Sequence, residues 1–310
     1  MEPERRQRGF DWASAIWPSD RAHFVFLLGT AILAIIFRKP VPRAWDWCWV
    51  NLALVGCLVL LCRIWPDPRR GAIPRMAFTM VVIPVVFTQL GWLVPFVNPH
   101  GKEELLFHID RAMFFGVNPV EATARLANPV LTEVLQWVYD FYFFIAVMLG
   151  SAVLRTKEPK LLARITHAFI VCVYASYVGY YLLPAKGPNI NHLGLYNFAT
   201  DLPGVFMARE LRETLFMIEK IKQDCFPSGH TAVSVLALLL AYRYVPRLVK
   251  PLWPLVAALV FSTVYLRYHY VADVLGGILL ALVADRWARR SHLKFEERHW
   301  KNHGEPSGAN

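Results

Sequence analysis

Long apolar segments alternate with short polar loops along most of this chain. A helix needs about 17 to 25 residues to cross the roughly 30 Å hydrocarbon core of a bilayer, and the segments approach or reach that length. The pattern predicts an all-α integral membrane protein with about eight transmembrane helices. The first segment and the last two are short, so a count of six or seven stays open. The predicted spans lie near residues 22–37, 45–62, 77–97, 134–154, 161–183, 230–245, 251–266 and 270–285.

Composition supports the membrane assignment. Of the 310 residues, 56% are hydrophobic and 14% are aromatic, which is too apolar for an ordinary soluble domain of this size. Four of the five cysteines lie within the predicted spans, and no Cys/His spacing is typical of zinc. We therefore expect no disulfide framework, no metal site and no cofactor.

Positive charge is distributed unevenly between alternate loops. If the N-terminus lies inside, 21 of the 33 Lys and Arg residues fall on the inner side, as the positive-inside rule requires. We therefore expect both termini in the cytoplasm. The net charge of +10 then follows from the inner loops, which attract anionic lipid head groups, and it needs no nucleic-acid partner.

Three short polar stretches occur where predicted spans begin or end. They are Pro184–Pro188, Pro227–Thr231 and Arg267–Asp273, and together they contain two histidines, two basic residues and an aspartate. The order of the spans puts all three on the face opposite the termini. That face is periplasmic or extracellular in a bacterium and lumenal in a eukaryote. Polar chemistry is thus expected at one membrane surface.

His269 and Asp273 are four residues apart in the third stretch. On a helix this spacing lets the carboxylate accept a hydrogen bond from one imidazole nitrogen, which fixes the tautomer and leaves the other nitrogen free. A histidine nucleophile or base requires that arrangement. The alternative is a polar pair that only satisfies two side chains at the mouth of a helix.

The second stretch, Pro227-Ser228-Gly229-His230-Thr231, directly precedes an apolar run of helical length. Backbone N–H groups at a helix start form an anion site suited to phosphate, and a glycine allows close approach. His230 would then stand beside the phosphate as a proton donor. The alternative is an ordinary helix cap that includes a histidine.

Lys186 follows an apolar run and Arg267 opens the third stretch. A lysine at a membrane edge is commonly an interfacial anchor, so Lys186 alone is weak evidence of a site. Taken together with His230 and His269, the two cations give the charges and proton-transfer groups that a metal-independent phosphoester reaction needs.

These residues resemble the type 2 phosphatidic acid phosphatase superfamily of membrane lipid phosphatases and phosphotransferases. Pro227-Ser-Gly-His230 matches its second motif in full, and Ser262, His269 and Asp273 match the third at the right spacing. Thr263 stands where the third motif usually has arginine, and the first motif is incomplete around Lys186. Both departures are similar to the inositol phosphorylceramide synthase-like branch.

The resemblance implies the organisation of the chain. It covers about residues 77–285, which would form a six-helix catalytic core. Residues 1–76 would add a cytoplasmic tail and two further transmembrane helices, and residues 286–310 a basic cytoplasmic tail.

The resemblance also implies roles for seven residues. His269 would be the nucleophile that forms a phosphohistidine, Asp273 would orient it, and His230 would be the acid and base. The phosphate would be bound by Lys186, Ser228, Gly229 and Arg267. The substrate would be a phospholipid or sphingolipid, and the acceptor, water or an alcohol, stays open, as does the oligomeric state.

Two further hypotheses come from the residues. A transporter of anionic lipid or phosphate could use the same basic and histidine side chains without covalent chemistry, although it would place them near the middle of the membrane. The connection 99–132 alternates apolar clusters with turn residues, which indicates short interfacial helices. These would form a lid for a lipid substrate or merely close the bundle.

Overall fold

The computed structural model describes residues 11–198 and 202–299, which form helices and loops without a strand. The ends of both predicted tails, residues 1–10 and 300–310, lie outside the described residues. The α-helices are α1 (Trp12–Ala15), α2 (Pro18–Ile36), α3 (Ala44–Ile64), α4 (Pro68–Val97), α5 (Glu103–Met113), α6 (Pro119–Ala124), α7 (Pro129–Asp140), α8 (Tyr142–Leu154), α9 (Pro159–Leu182), α10 (Ala208–Ile218), α11 (Gly229–Tyr244), α12 (Val249–Tyr265) and α13 (Val271–His299).

Each predicted span coincides with helical structure, and the all-α membrane fold is confirmed. Five helical segments in the described part of the chain are long and apolar enough to cross a membrane. The span predicted at 134–154 is the pair α7 and α8, bent by 46°, and it would make a sixth. α11 has only 16 residues and α13 carries three charged residues in its first 16. The count of eight therefore stays a prediction.

α9 is the central helix of the bundle and packs against α2, α4, α11 and α13. Its buried residues reach around most of its circumference, as expected for a helix enclosed by neighbours. α2 contacts α4 and α9 as well as α3, so this N-terminal helix packs directly on the predicted core. The boundary predicted at residue 285 falls within α13, which continues to His299.

Close packing between α11 and α13 positions the two histidine stretches. A Cβ atom on Gly277 would lie 2.6 Å from the carbonyl oxygen of Ser228, and one on Gly276 would lie 2.9 Å from the Phe226 ring. A side chain at either position would force its neighbour to shift, so the two glycines let α13 approach the start of α11 closely. The second and third polar stretches are thereby brought together at one end of the bundle.

A buried ion pair joins the first helices to the bundle. The Arg75 Nε atom lies 3.1 and 2.9 Å from the two carboxylate oxygens of Asp20. Its guanidinium also lies 3.9 Å from the Trp17 ring centroid and donates to the carbonyls of Trp65 and Ala15. One arginine thus links α1, α2, α4 and the end of α3.

Arg75→Met is expected to destabilise the fold by about 3 to 5 kcal/mol, because it leaves the buried Asp20 carboxylate without its counter-charge. The midpoint of thermal unfolding in mild detergent measures the effect. Arg43→Met is the matched control, since Arg43 pairs with Asp46 at the surface with its side chain 72% exposed, and such pairs contribute about 0 to 1 kcal/mol. Equal losses in the two variants would contradict this role for Arg75.

Candidate active site

The three polar stretches meet through backbone hydrogen bonds. The Cys225 N–H donates to the Ala185 carbonyl at 3.2 Å, which joins the loop before the second stretch to the first. The Asn189 N–H donates to the Arg267 carbonyl at 2.7 Å, and the Ser228 N–H donates to the Asp273 carbonyl at 3.1 Å. Residues that lie far apart along the chain are therefore joined directly in one unit.

His269 and Asp273 form the expected pair. The His269 Nδ1 atom lies 3.4 Å from the Asp273 Oδ2 atom, and both side chains are buried. The same oxygen accepts the Tyr270 N–H at 3.0 Å. With Nδ1 engaged by the carboxylate, Nε2 is the His269 nitrogen that is left for a substrate.

The four-residue spacing predicts that His269 and Asp273 lie on successive turns of one helix, and the structure differs. α13 begins at Val271, so His269 lies in the turn before the helix and Asp273 in its first turn. The Asp273 carboxylate reaches back to the Tyr270 N–H in the manner of a helix cap. The spacing therefore brings the two groups together by a different geometry from the one predicted.

Asp110 of α5 completes the start of α13. Its carboxylate accepts the N–H groups of Val271 and Ala272 at 2.9 and 2.8 Å, and its side chain is fully buried. Burial raises the pKa of Asp110 to about 6, although the two N–H donors lower it. The carboxyl is thus ionised at neutral pH, where a negative charge stabilises a helix N-terminus. The segment predicted as a possible lid carries this structural anchor.

The second stretch begins α11 as predicted. The Ser228 hydroxyl oxygen caps the helix by accepting the Thr231 N–H at 3.3 Å. A Cβ atom on Gly229 would lie only 2.5 Å from the Tyr180 hydroxyl, so the backbone approaches α9 closely here. The Ser228 N–H is already used by Asp273, which leaves the first amides of the helix, those of Gly229 and His230, for an anion.

His230 is packed between aromatic rings. Its Nδ1 atom lies 3.3 Å from the Tyr139 hydroxyl. Its ring centroid lies 4.6 Å from that of Tyr139 and 4.3 Å from that of Tyr142, which stand on either side of the bend between α7 and α8. The centroid of the His269 ring is 5.9 Å away. The two histidines thus share one site.

A cavity that opens to solvent is lined by both histidines. Lys186 and Arg267 are not among its lining residues. The Arg267 guanidinium carbon lies 3.9 Å from the Phe198 ring centroid, and the Lys186 backbone is held by Glu103 and Tyr270. Binding of phosphate by Lys186 and Arg267 therefore stays a prediction.

Sequence reasoning missed the opposite wall of the cavity. It comes from α10 and the loop after it, which lie between the spans predicted at 161–183 and 230–245. The charged residues on this wall are Arg212, Glu219, Lys222 and Asp224. The alternation of charged and apolar residues in 208–218 is the signal that could have indicated an amphipathic helix there.

The pKa values of the Glu219 and Asp224 carboxyls are both raised. Burial raises the pKa of Glu219, and the nearby charge of Asp224 raises it further. Burial also raises the pKa of Asp224, while the His269 charge lowers it. The pair thus keeps a proton at a pH where an exposed carboxyl has lost its own, which limits the negative charge beside the histidines.

Cys225, His269 and Asp273 form a group whose potential ligand atoms all lie within 4.8 Å of one another. The Cys225 thiol donates to the Tyr268 carbonyl at 3.3 Å, and burial raises its pKa well above the usual value. A thiol that keeps its proton is a poor metal ligand. The donors fit a hydrogen-bonded site better than a metal centre, and the expectation of metal-independent chemistry stays a prediction.

Comparison with known proteins gives one family match and two distant relatives. The family model described as the PAP2 superfamily matches residues 104–287. The inositol phosphorylceramide synthase catalytic subunit of Saccharomyces cerevisiae is 24% identical over 293 residues, which cover 89% of this chain and 69% of the yeast protein. A PA-phosphatase related-family protein of Dictyostelium discoideum is 25% identical over 211 residues, which cover 61% of this chain but only 35% of that protein. No solved structure matches.

Gly229→Ala is expected to destabilise the protein by about 1 to 3 kcal/mol, because the added methyl group overlaps the Tyr180 hydroxyl. Tyr180→Phe removes that hydroxyl, so the double variant should recover most of the loss. Thermal unfolding in detergent measures all three proteins. Gly150→Ala is the control, since a Cβ atom there meets nothing within 4 Å. A double variant no more stable than Gly229→Ala would show that the contact is not the cause.

Proposed function

This chain belongs to the PAP2 superfamily, and from that premise we propose that it is an integral membrane enzyme that cleaves or transfers the phosphorylated head group of a lipid. The observation that carries the proposal is the meeting of His230 and His269 in one cavity, with Asp273 behind His269. The substrate would be a phospholipid or sphingolipid.

In the first half-reaction, His269 Nε2 attacks the phosphorus atom and the bond from phosphorus to the leaving oxygen breaks. His230 gives its proton to that oxygen, so the leaving group departs as a neutral alcohol. Asp273 accepts the Nδ1–H of His269 and stabilises the positive charge on the imidazole. The product is a phosphohistidine.

In the second half-reaction, the oxygen of an acceptor attacks the phosphohistidine and the phosphorus–nitrogen bond breaks. His230, now neutral, takes the acceptor's proton. Water as acceptor gives a phosphatase, and an alcohol gives a phosphotransferase. The names of the two relatives include both outcomes, since one is a synthase and the other is phosphatase-related.

The phosphate ligands of the proposal are Lys186, Ser228, Gly229 and Arg267, and the N-terminus of α11 is the best supported of these. Its first amides and the helix dipole favour an anion beside His230. Ser228 contributes through its hydroxyl cap, which holds the helix start in place. We place the site on the membrane face opposite the two termini, as the distribution of positive charge indicates.

His269→Ala is expected to abolish turnover of a lipid labelled in its phosphate, while the variant still folds, because no other group would form the covalent intermediate. His230→Ala should lose about 10²- to 10⁴-fold in kcat with an alkyl leaving group. An aryl phosphate ester has a leaving group that needs no proton. With this substrate, His230→Ala should release about one equivalent of the aryl alcohol in a burst and then stall, because attack of the acceptor on the phosphohistidine still lacks its base.

Label recovered as free phosphate or in a new lipid, with and without an added alcohol, separates phosphatase from phosphotransferase. Full activity in His269→Ala would contradict the mechanism. Flux of the labelled lipid or phosphate across proteoliposomes, without covalent labelling of the protein, would favour the transporter instead.

The activity should also depend on the protonation of Glu219 and Asp224. Because the pKa of both carboxyls is raised, the pair is less negative at low pH and gains a charge as the pH rises beyond the ordinary carboxyl range. That charge repels phosphate, so KM for a phosphodiester lipid should rise with pH over this interval. The charges of Asp140 and Lys222 also affect the pKa of Glu219. The other titratable or charged side chains that line the cavity include Arg212, His230 and His269.

Glu219→Gln should flatten this rise in KM, since one of the two titrating carboxyls is gone. Glu210→Gln on the exposed side of α10 is the matched control and should keep the wild-type profile. Coincident KM profiles for Glu219→Gln and wild type would show that the pair does not govern substrate binding.

A further inference from the structure

α10 is anchored at its start by a single carboxylate. Glu133 of α7 accepts four backbone N–H groups, and the distances lie between 2.9 and 3.1 Å. Four donors on one carboxylate fix the orientation of the helix strongly, because each is a charge-assisted hydrogen bond. The donors belong to Val205, Phe206, Met207 and Ala208.

Arg212 lies one turn into α10 and lines the cavity together with His230 and His269. One of its terminal nitrogens donates to the Leu202 carbonyl at 3.0 Å. Its Nε atom is buried and has no hydrogen-bond partner within the part of the chain that the structure describes. A guanidinium nitrogen that is shielded from water without an acceptor is energetically costly unless a ligand supplies one.

Other groups do not neutralise Arg212. Among the described residues it forms no ion pair, whereas Arg209 on the same helix pairs with Glu213 at 2.8 Å. Lys222, the other cation of this wall, lies 3.5 Å from the Phe216 ring centroid and donates to the Phe216 carbonyl. Arg212 is thus a cation of this wall with a buried donor left for a ligand.

The positive charge of Arg212 affects Tyr268, the residue before His269. Burial raises the pKa of the Tyr268 hydroxyl, and the positive charge of Arg212 lowers it. Tyr268 is the residue next to His269 and lines the same cavity. The guanidinium therefore acts on a group that lines the same cavity as His269.

The sequence lacks a cation where the resembled family has one. Thr263 is fully buried, and its hydroxyl donates to the Val260 carbonyl at 2.7 Å, so it offers the cavity no charge. Arg267 lies over Phe198, outside the lining of the cavity. Arg212 approaches from the opposite wall, on a helix that none of the three polar stretches includes.

We propose that Arg212 is a further phosphate-binding residue of this site and contacts the non-bridging oxygens of the substrate through Nε and a terminal nitrogen. The inference rests on the proposed function. The planar guanidinium matches two phosphate oxygens at once, and an ammonium cannot reproduce that geometry. Because these oxygens carry the charge of the transition state, the contact contributes to kcat as well as to binding.

Arg212→Gln is expected to lower kcat/KM for the labelled lipid by about 10²- to 10³-fold, as for loss of one transition-state donor. Arg212→Lys should recover part of the loss, because it keeps the charge without the fork. Arg209→Gln, on the same helix but with an 82% exposed side chain, should match wild type. The inhibition constant of inorganic phosphate should rise in Arg212→Gln and stay constant in Arg209→Gln, a change that a merely structural role would not produce.

Equal kcat/KM and equal phosphate inhibition in Arg212→Gln and Arg209→Gln would overturn the proposal. If the wild type turns over no labelled lipid, the proposed function fails instead. Equilibrium binding of radiolabelled inorganic phosphate to the detergent-solubilised wild type, Arg212→Gln and Arg209→Gln then decides the role of Arg212: selective loss in Arg212→Gln supports it, and unchanged or absent binding overturns it.

Discussion

The start of α13 is the point on which the rest of the site depends. Backbone N–H groups at a helix end must find acceptors, and at the edge of a bilayer an unsatisfied group is costly. Asp110, which lies in α5, accepts the N–H groups of Val271 and Ala272. Asp273, which lies in α13 itself, accepts the Tyr270 N–H. The Asp273 carbonyl in turn accepts the Ser228 N–H. Satisfying the ends of two helices thus brings them into contact and sets His230 opposite His269.

Structural and chemical roles coincide in these residues. The two alternatives considered for the histidine stretches, helix caps or catalytic groups, are not exclusive, because Ser228 caps α11 and Asp273 caps α13, while His230 and His269 of the same stretches line the cavity. A carboxylate already fixed by a backbone donor cannot turn away from His269. Capping therefore supplies the preorganisation that an acid-base pair needs, at no separate cost in side-chain entropy.

The sequence predicted what depends on local pattern. Apolar runs located the helices, motif spacing located His230, His269 and Asp273 in one site, and the predicted family is confirmed by the match over residues 104–287. Local sequence pattern does not predict contacts between distant segments. Nothing local marks Asp110 as the cap of a helix that begins 161 positions later. The pattern predicts one span at 134–154 because the apolar composition continues across the bend between α7 and α8.

α10 shows why the missing part matters. Its C-terminal end exposes Met217 and Ile218, with Ile218 69% exposed, as suits a helix that lies at a membrane interface. Arg212 on the same helix lines the cavity instead, since Glu133 fixes the start of the helix against α7. An arginine near the hydrocarbon is tolerated where its partners are polar. The amphipathic helix thus separates a surface suited to lipid chains from a charged surface suited to a head group, and it does so beside the two histidines.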